Sequence, residues 1–142
     1  MKDPERQAGR WLRQARYDLA QAEQLLQQAN YAYAAFFAEQ AAQKALKAYL
    51  ISRGRRYVMI HSVGELAREA MSSDPEFERL VEHGRRLDRH YLTTRYPDAL
   101  PDPIIPAEAY GREDAEQAVS DAQAVLHHVL RRIGGDPPSR VS

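Results

Sequence analysis

Arg85 and His90 stand five positions apart in the run Arg85-Arg86-Leu87-Asp88-Arg89-His90. Together these two types could cleave RNA without a metal. An imidazole that titrates near neutrality takes the proton of a ribose 2′-hydroxyl, and a guanidinium steadies the charge that develops on the phosphorus oxygens. On a regular helix five residues turn through about 500°, which leaves the two side chains about 140° apart. A break near His90, or a second protomer, would have to bring them together. The plainer reading is a solvated arginine-rich face with an incidental histidine. Arg95-Tyr96-Pro97-Asp98 follows. At the end of a helix Arg95 is favoured by the helix dipole, and it could equally hold a phosphate while Tyr96 stacks on a base.

Lys44 and Lys47 are three apart and share a helical face. They are candidate nucleotide-phosphate ligands, with solvation, an ion pair to Glu39 or a hydrogen bond to Gln40 as the simpler use. Arg53, Arg55 and Arg56 flank Gly54 and form a basic spot. His61 completes both Arg55-x5-His61 and Arg56-x4-His61, so the Arg–His spacing arises cheaply in this chain. His127 and His128 are adjacent and point about 100° apart, which rules them out as a helical metal pair. His83 and His90 are two turns, about 10 Å, apart, too far for one ion. The expectation is a site with no metal and no cofactor. No phosphate-cradling glycine loop occurs, and no Ser–His–Asp signature.

The chain has 142 residues, net formal charge zero, 44% hydrophobic residues and no cysteine. That length suits one domain with a core of its own, and the composition is that of a globular protein. Disulfides, thiolate metal sites and cysteine nucleophiles are excluded. A nucleic-acid role would have to rest on a local patch, because general binders carry a basic excess. No apolar run has signal-peptide or membrane-span length, so the expectation is a cytoplasmic protein without a membrane partner.

The elements that must carry these residues read as helices throughout. Helix 1 is expected over 3–28, with Asp3 as N-cap, Pro4 in the first turn, and Trp11, Ala15, Leu19, Ala22 and Leu26 on one face. Helix 2 is expected over 31–53 and ended by Gly54. It is alanine-rich and apolar on more than one side, which marks it as the central helix. A short helix over 62–71 opens on the Ser62…Glu65 capping-box spacing. A fourth helix begins after Asp74 at Pro75 and runs to Arg95, where Pro97 stops it. Four prolines make 97–106 an extended loop, and a fifth helix covers 112–133. Residues 57–60 are the only β-like run. The expected architecture is all-α: an up-and-down antiparallel bundle of four to five helices, one domain over 1–133, with a disordered tail over 134–142.

This order of features resembles the HEPN domain family. The resemblance is carried by Ala15-Arg16-Tyr17-Asp18-Leu19, by the helix 2 stretch from Ala35 to Leu50, by His61-Ser62-Val63, by Leu87-Asp88 with Tyr91, and by Thr94-Arg95-Tyr96-Pro97-Asp98. It implies a four- to five-helix bundle similar to the helical domain of kanamycin nucleotidyltransferase, usually homodimeric. It also implies action beside a minimal nucleotidyltransferase, often as a toxin–antitoxin pair. The favoured function is a component that binds a nucleotide or that partner through Lys44, Lys47, Arg95 and Tyr96. The alternative is a metal-independent RNase toxin that acts as a dimer through Arg85 and His90, or Arg95. Family RNases carry Arg-x4-6-His, commonly followed by one residue and a tyrosine. Here Tyr91 follows His90 directly, Arg86 replaces a small polar residue, and Gln43 stands where helix 2 usually has glutamate.

Overall fold

In the computed structural model, which describes residues 3–56 and 58–133, every regular element is helical. Helix α1 (Pro4–Gln27) starts where the Asp3 carboxylate accepts from the Glu5 N–H at 3.0 Å. After it, Ala29 takes the left-handed region at φ 62° and the chain reverses. Helix α2 (Tyr31–Ser52) is buried on nearly every side, with Ala34, Ala35, Ala38, Ala41, Ala42, Ala45 and Ala48 at zero exposure. Small side chains let α1 and α7 (Arg112–Arg132) approach this helix from two directions. Gly54, at φ 101°, ends it in a conformation that a side chain would strain.

The pairing is antiparallel and can be read from cross-helix contacts. Lys44 meets Asp18 and Lys47 meets Trp11, so rising numbers on α2 match falling numbers on α1. Helix α4 (Val81–Asp88) runs against α7 in the same sense: Asp121 lies beside His83 and Arg86, while upstream Asp74 meets Arg132. The core they enclose includes Leu12, Leu46, Leu66, Leu80 and Val125, with Tyr49 against Phe77 at 4.4 Å and Phe77 edge-on to His128 at 4.6 Å.

Two expectations need correction. The long fourth helix over 75–95 is broken into pieces. Pro75–Leu80 is a 3₁₀ segment capped by Asp74, and its three-residue turn stacks Phe77 and Leu80 on one buried side. Helix α4 follows, and α5 (His90–Thr93) is offset from it at Arg89. At that break Thr93 and Thr94 donate their hydroxyls to the carbonyls of Arg89 and His90, the i−4 back-bonding that bends helices. The loop over 97–106 is likewise interrupted, by a 3₁₀ turn at Pro97–Ala99 and the single turn α6 (Pro106–Ala109). The expected tail over 134–142 lies outside the described residues, as does Tyr57 of the β-like run.

Helix α3 (Val63–Ala70) crosses α4 at two glycines. Its first turn is tied down twice. Ser62 Oγ accepts from the Glu65 N–H at 3.1 Å, and the Asp88 carboxylate takes the Ser62 hydroxyl (2.7 Å) and the N–H groups of Val63 (2.6 Å) and Gly64 (3.2 Å). One α4 carboxylate thus satisfies the orphan donors of another helix and fixes where His61 enters.

Candidate functional site

The most concentrated group of charged and aromatic side chains surrounds Arg95. Its Nε and Nη2 both donate to the Tyr91 carbonyl one turn back. The guanidinium carbon lies 4.4 Å from the Phe36 ring centroid, 5.1 Å from Tyr91 and 4.9 Å from Tyr96. Three aromatic faces therefore hold one cation on the α5 end, against the start of α2. The remaining donors of the fork are not used by these contacts. Beside Arg95 an open groove of about 560 Å³ is walled by Asn30, Tyr31, Tyr33, Thr94 and Ile105. Tyr96, on the cation, and Tyr33, in the groove wall, are each 50% exposed, so two phenol rings face solvent here.

Behind Arg95 lies a buried carboxyl. Glu39 has zero exposure and accepts from the side-chain amides of Gln40 (2.9 Å) and Gln43 (2.8 Å). Burial pushes its pKa up to about 7, although the two amides and the Arg95 charge pull it down. Gln43 reaches on to His61 Nδ1 at 3.4 Å, and the exposed His61 ring stacks on Tyr91 at 6.0 Å. The line Glu39–Gln43–His61–Tyr91–Arg95 thus runs from the core to the surface.

Glu39 carries a pH signature. Its folded pKa lies above the ordinary 4.5. The folded chain therefore holds a proton that the unfolded chain has released, and the associated stability is full below that value and lost as pH rises through 7. Between about pH 5 and pH 8 the loss is about 2 kcal/mol. Glu39→Gln is expected to flatten this decline, which urea denaturation at a series of pH values would measure. A variant that still declines by the same amount would place the titration elsewhere.

The other expected site residues fall in different places. Arg85 is exposed, 3.5 Å from Glu82, with its stem over Gly64. His90 turns away: its Nδ1 is 2.7 Å from the Tyr110 hydroxyl, which Thr93 also meets at 2.6 Å. Burial lowers the pKa of His90, which favours the neutral ring. The break at Arg89 serves the Thr93–Tyr110 contact and leaves Arg85 and His90 with separate partners. Arg86 pairs with the fully buried Asp121 through Nε at 3.0 Å and Nη2 at 2.7 Å, and His83 adds a contact at 2.7 Å. That arginine, out of place for an RNase motif, holds α4 to α7.

Lys44 and Lys47 face α1. Lys44 donates to Asp18 at 2.7 Å, so its partner is a carboxylate from the neighbouring helix and not Glu39 on its own. Lys47 is buried over the Trp11 ring at 5.6 Å, and burial lowers its pKa. Arg95 meets α2 at Phe36, about 12 Å along the axis from Lys44. The four expected binding residues are therefore split into a pair at Arg95 and Tyr96 and a pair against α1. Sequence reasoning overlooked Glu39 and Gln43 as members of the Arg95 group. The available signal was two long polar residues at i, i+4 amid buried alanines.

The HEPN domain family model matches residues 8–133. The chain belongs to the HEPN domain family. Its helical order and bundle agree with that membership, as the sequence resemblance implies. "Putative toxin MJ1304" of Methanocaldococcus jannaschii is 31% identical over 123 residues, covering 82% of this chain and 81% of that protein. Among solved HEPN-like folds, TT1696 of Thermus thermophilus is 40% identical with a TM-score of 0.77, covering 87% of this chain and 96% of its own. The archaeal HEPN homologue ST0689 is 28% identical with a TM-score of 0.73, covering 94% and 99%. The HEPN domain protein of Thermotoga maritima is 28% identical with a TM-score of 0.69, covering 89% and 99%. Among the described residues of this HEPN protein no helix is long and apolar enough to cross a membrane.

Proposed function

We propose that this HEPN protein is the toxin-type component of a two-component system, acting with a minimal nucleotidyltransferase and engaging a nucleotide at the Arg95–Tyr96 surface as a homodimer. The observation that carries the reading is the Arg95 guanidinium, held among Phe36, Tyr91 and Tyr96 at the wall of an open groove. A planar cation with free donors recognises phosphate, and flanking phenols accept a base by stacking. Kinship with an archaeal protein named for toxicity supports the system-level reading.

The RNase alternative needs an arginine and a histidine that converge. The contacts of His90 with Tyr110 and of Arg85 with Glu82 favour the binding role. The separating experiment is incubation of the purified protein with RNA in EDTA, beside co-purification with a minimal nucleotidyltransferase. The binding reading expects intact RNA and a stable complex that Arg95→Ala weakens. RNA cleavage that disappears in His90→Ala would overturn it in favour of the RNase.

A further inference from the structure

Helix α1 carries a stripe of exposed cations. Arg6, Arg10 and Arg13 fall at i, i+4 and i+7, and Tyr17 continues the line at i+11, so all four share one face within about 60°. All four are exposed, Tyr17 at 62%. The positive end of the helix dipole lies at the start of α1 and disfavours a cation in the first turn, where Arg6 stands. The last turn, where a base would be favoured, has none. Arg6 and Arg13 have no carboxylate partner among the described residues, and Arg10 bonds only the neutral Gln7. Alongside this stripe runs a groove of about 700 Å³ lined by Arg10, Trp11, Arg13, Gln14, Tyr17 and Lys44. Asp18, which follows Tyr17, is buried and already satisfied by Lys44 and Gln14.

We propose that this α1 face binds single-stranded nucleic acid, with Arg6, Arg10 and Arg13 on successive phosphates and an unstacked base on Tyr17. The stripe is about 16 Å long, the length of a short oligonucleotide and more than a mononucleotide needs. Cations that track a backbone beside an exposed aromatic ring are how proteins hold single strands without reading sequence. Net charge zero is no obstacle, since the positive charge is local. The face is distinct from the Arg95 groove, which meets α2 at its opposite end from Lys47.

The test is fluorescence anisotropy with a labelled twelve-nucleotide oligouridine, its DNA counterpart and a duplex of equal length, in EDTA. Three phosphate contacts predict a slope of log affinity against log salt of about −2 for the single strand. The double variant Arg10→Ala/Arg13→Ala should reduce that slope to about −0.7. Tyr17→Ala should weaken binding about tenfold with the slope unchanged. Arg95→Ala should leave it within about twofold, which separates this face from the nucleotide surface. Equal affinity for RNA and DNA strands supports backbone-and-stacking recognition, and preference for RNA adds a contact to the 2′-hydroxyl on the same face. Duplex binding as tight as single-strand binding, or a slope that the arginine variant does not change, would overturn the proposal. Because Arg10, Arg13 and Tyr17 are exposed, their variants should melt with the parent, and circular dichroism verifies that.

Discussion

Alanine at position 84 is expected to lower the melting temperature by about 10 °C. A Cβ placed on Gly84 would lie 2.6 Å from the Gly64 nitrogen and 2.8 Å from both the Gly64 Cα and the Val63 carbonyl carbon. All three atoms are backbone, so no side-chain rotation relieves the overlap, and α3 must move off α4. Overpacking of this kind costs about 1–3 kcal/mol. The same movement stretches the Asp88 cap on Ser62, Val63 and Gly64, whose loss adds about 1–2 kcal/mol. Alanine returns about 1 kcal/mol in helix propensity, which is too little to offset the two losses. The net, about 3 kcal/mol, converts to the stated shift at roughly 3 °C per kcal/mol for a chain of this size. Calorimetry measures it, and an unchanged melting temperature would mean that the two helices cross further apart. Because Asp88 anchors the turn that follows His61, the variant should also loosen the His61–Tyr91 stack.

Arg95→Ala is expected to weaken nucleotide binding by at least about 100-fold, and Arg95→Lys by about tenfold. Lysine restores the charge but neither the planar fork nor the stacking on Phe36, Tyr91 and Tyr96. A result in which lysine and alanine behave alike would assign the loss to the fork geometry alone. The alanine variant carries a second signature. Arg95 is one of the groups that pull the Glu39 pKa down. Without that cation the Glu39 value should rise further, and stability should begin to recover at neutral pH only once Glu39 is also replaced by glutamine.

How much of this was legible in the sequence differs between the bundle and the site. The alanines of α2 announced a helix buried on several sides, and Asp3-Pro4, Ser62…Glu65 and Gly54 marked ends that the structure keeps. The family resemblance rested on motifs that the domain match over 8–133 bears out. The break at Arg89 was illegible, because Thr93 and Thr94 act there through carbonyls one turn back and through Tyr110, seventeen residues beyond Thr93. Local periodicity sees neither kind of contact. The site divided along the same line. Arg95 at a helix end before Pro97 could be picked out locally. Its aromatic cage depends on Phe36 from a distant helix, and the carboxyl behind it depends on how α2 is rotated in the core. Lys44 illustrates the converse: its own helix offered Glu39 or Gln40, and packing supplied Asp18 from α1 instead.

The proposed working surface is built on Arg95 and not on the Arg85–His90 pair. Calorimetric titration of ATP into the intact protein, Arg95→Ala and His90→Ala tests it most directly. The parent and His90→Ala are expected to bind alike, and Arg95→Ala is expected to show no binding. Undiminished binding by Arg95→Ala, or its loss in His90→Ala alone, would contradict it.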